Sequence, residues 1–184
     1  KDNGMKAFIG TVTTGACLSV VSQTKADNMF QITPSASAAK VIANDNCFQV
    51  CFTDPNQGTA SADYIASKGL ATKVAVIYNS SDAYSSGIYD NFKAEAAAKG
   101  LDLVASEAFT GDSKQDFSSQ LSKIKASGAE LIFLPIYYQE ASLILSQAKN
   151  AGITAKFFGC DGLYGLLNIE NFDKSLAENV MLLT

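Results

Sequence analysis

The 184 residues contain no histidine, the side chain that most readily serves as a general base near neutral pH. A GxSxG elbow, a P-loop and a glycine-rich dinucleotide fingerprint are missing too, so the common nucleophilic, phosphoryl-transfer and hydride-transfer chemistries have no sequence support. No apolar run approaches the roughly 20 residues that cross a bilayer. The net charge is -4 with no basic patch, which argues against a nucleic-acid partner. The four cysteines, Cys17, Cys47, Cys51 and Cys160, match no zinc spacing, and no histidine can complete one. Cys47 and Cys51 share the extended run CFQVCF, where their Cα atoms stand roughly 13 Å apart, too far for a disulfide. They read as plain buried thiols, and no metal or cofactor is expected. The chain opens on Lys1 without Met or a secretory h-region, so it reads as lacking its native start, with any signal peptide or lipid anchor upstream.

What is present is an alternation of strands and helices. From Lys73 onward, β-branched or aromatic runs at Lys73–Asn79, Leu101–Phe109, Ala129–Ile136 and Ala155–Asp161 are separated by amphipathic stretches. Ile88, Phe92 and Ala96 share one helix face; Phe117, Leu121 and Ile124 share the next; Ala141, Ile144, Leu145 and Ala148 share the third. Gly100, Gly128 and Gly152 follow these helices at the C-cap position. This pattern predicts an α/β fold with a parallel sheet.

The front of the chain carries a shorter version. Lys6–Gly10, Phe30–Pro34 and Cys47–Phe52 read as strands, Ala16–Asn28 as a helix, and Thr53-Asp54-Pro55 as a turn closing the segment. So few elements cannot cover both faces of a parallel sheet. The chain ends on the apolar strand Val180–Thr184, so both ends read as cut.

In open α/β sheets ligands bind beyond the carboxyl ends of the strands. There the front half offers Thr11-Val12-Thr13-Thr14-Gly15 and Ser35-Ala36-Ser37, hydroxyl-rich loops suited to a carboxylate or phosphate beside a helix N-terminus. Ordinary capping by Ser and Thr accounts for such loops equally well. The second half offers Asp82, Tyr84, Tyr137, Tyr138 and Asp161, a carboxylate-and-ring set suited to an ammonium group. For Asp161 the alternative is a turn-forming Asp-Gly, and for the tyrosines sheet-edge packing. Anion donors on one half and a carboxylate on the other are what an α-amino-acid zwitterion requires.

The stretches IGTVTTGACLSVVSQTKADNMFQITPSASA, KVAVIYNSSDAYSSG, DFSSQLSKIKASGAELIFLPIYYQEASLILSQAKNAGI and FFGCDG resemble, in collinear order, the branched-chain amino-acid (Leu/Ile/Val) substrate-binding proteins of ABC transporters. That resemblance implies a type I periplasmic-binding-protein-like α/β fold, with parallel sheets flanked by helices. One nearly complete lobe (residues 54–184) would stand beside half of the other (residues 1–53), with about two βα units before Lys1 and a return to the first lobe after Thr184. It implies that Thr14 holds a ligand carboxylate and that Ser35, Ala36 and Ser37 add backbone and hydroxyl contacts. Tyr84 and Tyr137 would close over the ligand, and Asp161 would take the α-ammonium where the family carries Glu, one methylene longer. It further implies an extracytoplasmic receptor, not an enzyme, that carries an amino acid to an ABC permease and meets the membrane only through a lipid anchor outside this stretch. A ligand-sensing effector domain of a regulator or a signalling receptor on the same fold is the alternative, and a DNA-binding headpiece upstream of Lys1 would mark the regulator.

Overall fold

The computed structural model describes residues 3–184. Strands β1 (Ala7–Ile9), β2 (Phe30–Thr33) and β3 (Cys47–Gln49) form a parallel sheet in that order. Helices α1 (Thr14–Leu18) and α2 (Val21–Ala26) cover one of its faces, burying Cys17, Val21, Ala36, Val41 and Cys47 between them. The single helix expected over Ala16–Asn28 is interrupted at Ser19–Val20. There the Ser19 hydroxyl donates to the Ala16 carbonyl at 2.7 Å, a local bond that competes with the helical ladder. The third strand is also shorter than the expected Cys47–Phe52, because the Gln49 side-chain amide donates to the Cys51 carbonyl at 3.0 Å as the chain bends away. The opposite face of this sheet is bare: Ile9, Phe30, Phe48 and Val50 are exposed, with the Phe30 and Phe48 rings stacked at 5.5 Å.

Thr53-Asp54-Pro55 does not close the front segment as a turn. It opens a helix, α3 (Asp54–Ser67), with Thr53 at the N-cap and Pro55 in the first turn, where proline's missing N–H leaves no bond unmade. The sequence hides this helix because its inner face carries Gln57, Gly58, Ser61 and Ala62 instead of large apolar residues. Small residues are needed there, since a Cβ on Gly58 would lie 2.5 Å from the Ile88 carbonyl oxygen and 2.7 Å from the Phe92 nitrogen.

The remaining strands are β4 (Lys73–Asn79), β5 (Asp102–Phe109), β6 (Leu131–Leu134), β7 (Lys156–Gly159) and β8 (Val180–Leu182). They form a second, fully parallel sheet in the order β5-β4-β6-β7-β8. Helices α3 and α4 (Ala83–Ala98) pack on one side through Ile65, Ile88 and Phe92 against Val74, Val76 and Phe133. Helices α5 (Ser118–Ser127) and α6 (Tyr138–Asn150) pack on the other through Leu121, Ile124 and Ile144 against Ala75, Ile77 and Ile132. Strand residues alternate between the two cores, so β4 and β6 are apolar on both faces, as a covered parallel sheet requires. Gly100, Gly128 and Gly152 take φ of 74°, 71° and 66°, the left-handed cap that a glycine adopts without strain. All four cysteines are free, with Cys51 alone half-buried. Among the described residues no helix is long and apolar enough to cross a membrane.

Candidate functional site

In the second sheet the strand order runs outward from β4 in both directions, to β5 on one side and to β6 on the other. A crevice opens at the carboxyl ends of strands that flank such a switch point. Tyr84 follows β4 and Tyr137 follows β6, and their rings stack at 4.8 Å and 16° across that crevice. Asp161 follows β7 and heads a 3-10 turn, Asp161–Leu163, so it is both a turn former and a member of the cleft. Its Oδ1 accepts the Tyr84 hydroxyl at 2.6 Å, while the Tyr84 oxygen accepts the Gly162 N–H at 2.9 Å. Burial raises the Tyr84 phenol well above its ordinary value, with Cys160 and Asp161 contributing, so the hydroxyl remains a donor. Burial also raises Tyr137, with Asp82, Asp54 and Asp161 adding to the effect.

The first sheet supplies the opposing wall. Ser35, Tyr84, Tyr137 and Asp161 line a cavity of about 430 Å³, with Val12 and Thr13 from the β1–α1 loop. Thr14, Ala36 and Ser37 lie behind that wall. Thr14 is buried, and its hydroxyl accepts the N–H groups of Ser37 at 3.2 Å and Ala38 at 3.3 Å. It thereby ties the two hydroxyl-rich loops together, which leaves its own O–H to donate. The Ala36 N–H donates to Thr33 Oγ1 at 3.0 Å, and Ser37 is buried with an unpartnered hydroxyl. Asp82 lies in the N-cap of α4, accepting the Ser85 N–H at 3.2 Å, and does not line the cavity. A larger depression of about 960 Å³ lies between the end of α6 and the amino ends of β7 and β8, away from the carboxyl ends where sheets of this kind take ligands.

Two buried polar residues that stand behind Asp161 without lining the cavity fall outside the residues singled out from sequence. Asp54 is 1% exposed, and neither carboxylate oxygen has a hydrogen-bond partner. Burial pushes its carboxyl up to about 7, with the Asp161 and Asp82 charges adding and the nearby Ser37 hydroxyl opposing, although Ser37 Oγ completes no bond. Gln57, one turn further along α3, accepts the Asp161 N–H at 3.4 Å and leaves its own NH₂ unpartnered. The signal for both was Thr-Asp-Pro, an N-cap, an acidic first turn and an early proline, which together mark a helix start.

Among the described residues no group of His, Cys, Asp and Glu could hold a metal. A tyrosine-and-carboxylate crevice at the switch point of one parallel sheet is thus faced by hydroxyl-rich loops of a second parallel sheet. The chain belongs to the periplasmic binding protein family, whose profile matches residues 1–182. It is 33% identical over 163 residues to Leu/Ile/Val-binding protein homolog 3 of Brucella melitensis, covering 88% of this chain and 44% of that one. It is 34% identical over 134 residues to an amino acid binding protein of Pseudomonas aeruginosa, covering 72% of this chain and 35% of that one. Among solved structures, it superposes on LivJ from Streptococcus pneumoniae, a branched-chain amino acid transporter substrate-binding protein in complex with isoleucine. That match has a TM-score of 0.88 and 27% identity, and covers 99% of this chain and 51% of the other. The leucine-binding protein LivK of Thermotoga maritima matches at a TM-score of 0.83 and 27% identity, covering 89% of this chain and 46% of the other. The chain thus spans between about a third and a half of the length of these proteins. The fold is the type I periplasmic-binding-protein architecture, and the family is one of substrate-binding proteins.

Proposed function

We propose that this chain forms the ligand-receiving part of an extracytoplasmic solute-binding receptor that captures a branched-chain amino acid for an ABC importer. The observation carrying this reading is the Asp161 carboxylate, held by the Tyr84 hydroxyl at the edge of an aromatic cavity. A carboxylate fixed in that way suits an ammonium group. The hydroxyl of Ser35 and the loop bound by Thr14 stand on the other wall and suit the ligand carboxylate. Residues 1–53 act as part of one lobe and 54–184 as the other, with the chain crossing between them at Thr53-Asp54-Pro55, where α3 begins. Capture proceeds without covalent chemistry: the ligand settles on one wall, hinge closure brings Tyr84, Tyr137 and Asp161 over it, and the closed form docks on the permease. A place in the periplasm, or attachment to the outer face of the cell membrane by a lipid anchor, belongs to the same proposal.

The test is a thermal-shift screen of the protein expressed from its complete gene against the common amino acids, organic acids and sugars. A ligand at 100 times its Kd adds about 2.7 kcal/mol. Stabilisation by Leu, Ile or Val supports the reading, and no response to any amino acid overturns it.

A further inference from the structure

The cavity has a polar side and an apolar side, and only the polar side is tied into the fold. Tyr84 and Tyr137 are stacked on one another, and Asp161 is bonded to Tyr84. At the rim, Val12 and Tyr164 also line the cavity, yet they are 61% and 79% exposed. The other tyrosine rings lie in ring stacks, sit under a lysine or, as with Tyr138, pack against the chain. The Tyr164 side chain makes none of the hydrogen bonds or ring contacts among the described residues.

Its backbone, by contrast, is held on both sides. The Tyr164 N–H donates to the Asp161 carbonyl at 2.9 Å. The next residue, Gly165, is pressed against the Tyr138 ring, where an added Cβ would lie 2.8 Å from Cδ1. The turn therefore fixes where the Tyr164 Cα stands and leaves the ring to be covered by something else. Burying an aromatic ring against an apolar group is favourable by both area and contact. Val12 comes from the loop of the first sheet and Tyr164 from a turn of the second, so a group between them touches both walls. Among the described residues the only charged side chain lining the cavity is Asp161, which the proposed ligand's ammonium would match.

We propose that Tyr164, with Val12 opposite, is the specificity-determining pair that covers the ligand's side chain and selects an aliphatic group over a small or charged one. The inference rests on the amino-acid reading above and adds to it the residues that choose among amino acids.

The experiment is calorimetric titration of the protein expressed from its complete gene with leucine and with alanine, for the wild type, Tyr164→Ala, Tyr164→Phe and Val12→Ala. The thermal midpoint of each unliganded variant serves as the folding control. Tyr164→Ala weakens leucine by about tenfold, the scale for lost apolar contact in a pocket, and alanine much less, so the leucine-to-alanine preference falls. Tyr164→Phe keeps the preference, and Val12→Ala lowers it in the same direction. An unchanged preference in both alanine variants, with wild-type leucine binding intact, overturns the inference and leaves the amino-acid reading standing. A wild type that binds no amino acid overturns both.

Discussion

The hydroxyl of Tyr84 is the hub of the Asp161 turn, donating to Asp161 Oδ1 at 2.6 Å and accepting the Gly162 N–H at 2.9 Å. Gly162 has no room for a side chain, since a Cβ would lie 2.6 Å from the Ile136 carbonyl oxygen and 2.7 Å from the Tyr84 oxygen. The turn is thus pinned from the segment that follows β6 and from α4 together. Tyr84→Phe keeps the stacked ring and removes both bonds. It is expected to weaken amino-acid binding by about 1.5–3 kcal/mol, the range for a hydrogen bond to a charged group, with calorimetry as the measurement.

Asp161→Ala removes the carboxylate itself. The expected loss is more than about 2 kcal/mol of binding energy, the scale for losing a desolvated charge partner. The midpoint of thermal unfolding without ligand should move far less, because Asp161 is only half-buried. An affinity equal to wild type would take Asp161 out of the site.

Asp54 makes a pH prediction. Its carboxyl is raised to about 7, chiefly by burial, so the folded state holds the proton more tightly than the unfolded state does. The resulting stabilisation is full below about pH 4, is lost as pH rises towards 7, and changes no further above that. Asp54→Asn is expected to flatten this slope and to exceed the wild type in stability at pH 8, by up to about 4 kcal/mol. Urea unfolding at pH 4, 6 and 8 checks it, and parallel wild-type and variant profiles would show that Asp54 is not the group responsible.

Gly58 lets α3 and α4 touch backbone to backbone. Gly58→Val forces the helices apart and should destabilise the fold by about 1–3 kcal/mol, the usual range for overpacking. Gly69 has a φ of +59° but open space around it, so Gly69→Asn serves as the near-neutral comparison in the same denaturant series.

The second sheet was legible because β4 and β6 are apolar runs and its helices carry apolar residues at helical spacing, as at Ile88, Phe92 and Ala96. The convergence of loops beyond the strand ends was legible too: Ser35, Tyr84, Tyr137 and Asp161 come together from separate segments in one cavity. Helix α3 was not, because a helix packed through Gly58, Ser61 and Ala62 lacks the apolar stripe that periodicity detects. Asp54 and Gln57 were lost with it. The part Thr14 plays could not be read either, since a threonine facing a ligand and one accepting two amides from a neighbouring loop have the same local sequence.

The bare face of the first sheet has a practical consequence. Ile9 is 81% exposed, and the Phe30–Phe48 stack lies open beside it. A parallel sheet uncovered on one side offers both sticky side chains and free backbone edges. Produced by itself, residues 1–184 should therefore be poorly soluble, bind a fluorescent dye such as ANS in the native state, and self-associate as concentration rises. Charged replacements at Ile9 and Phe48 would be the first step towards a well-behaved sample.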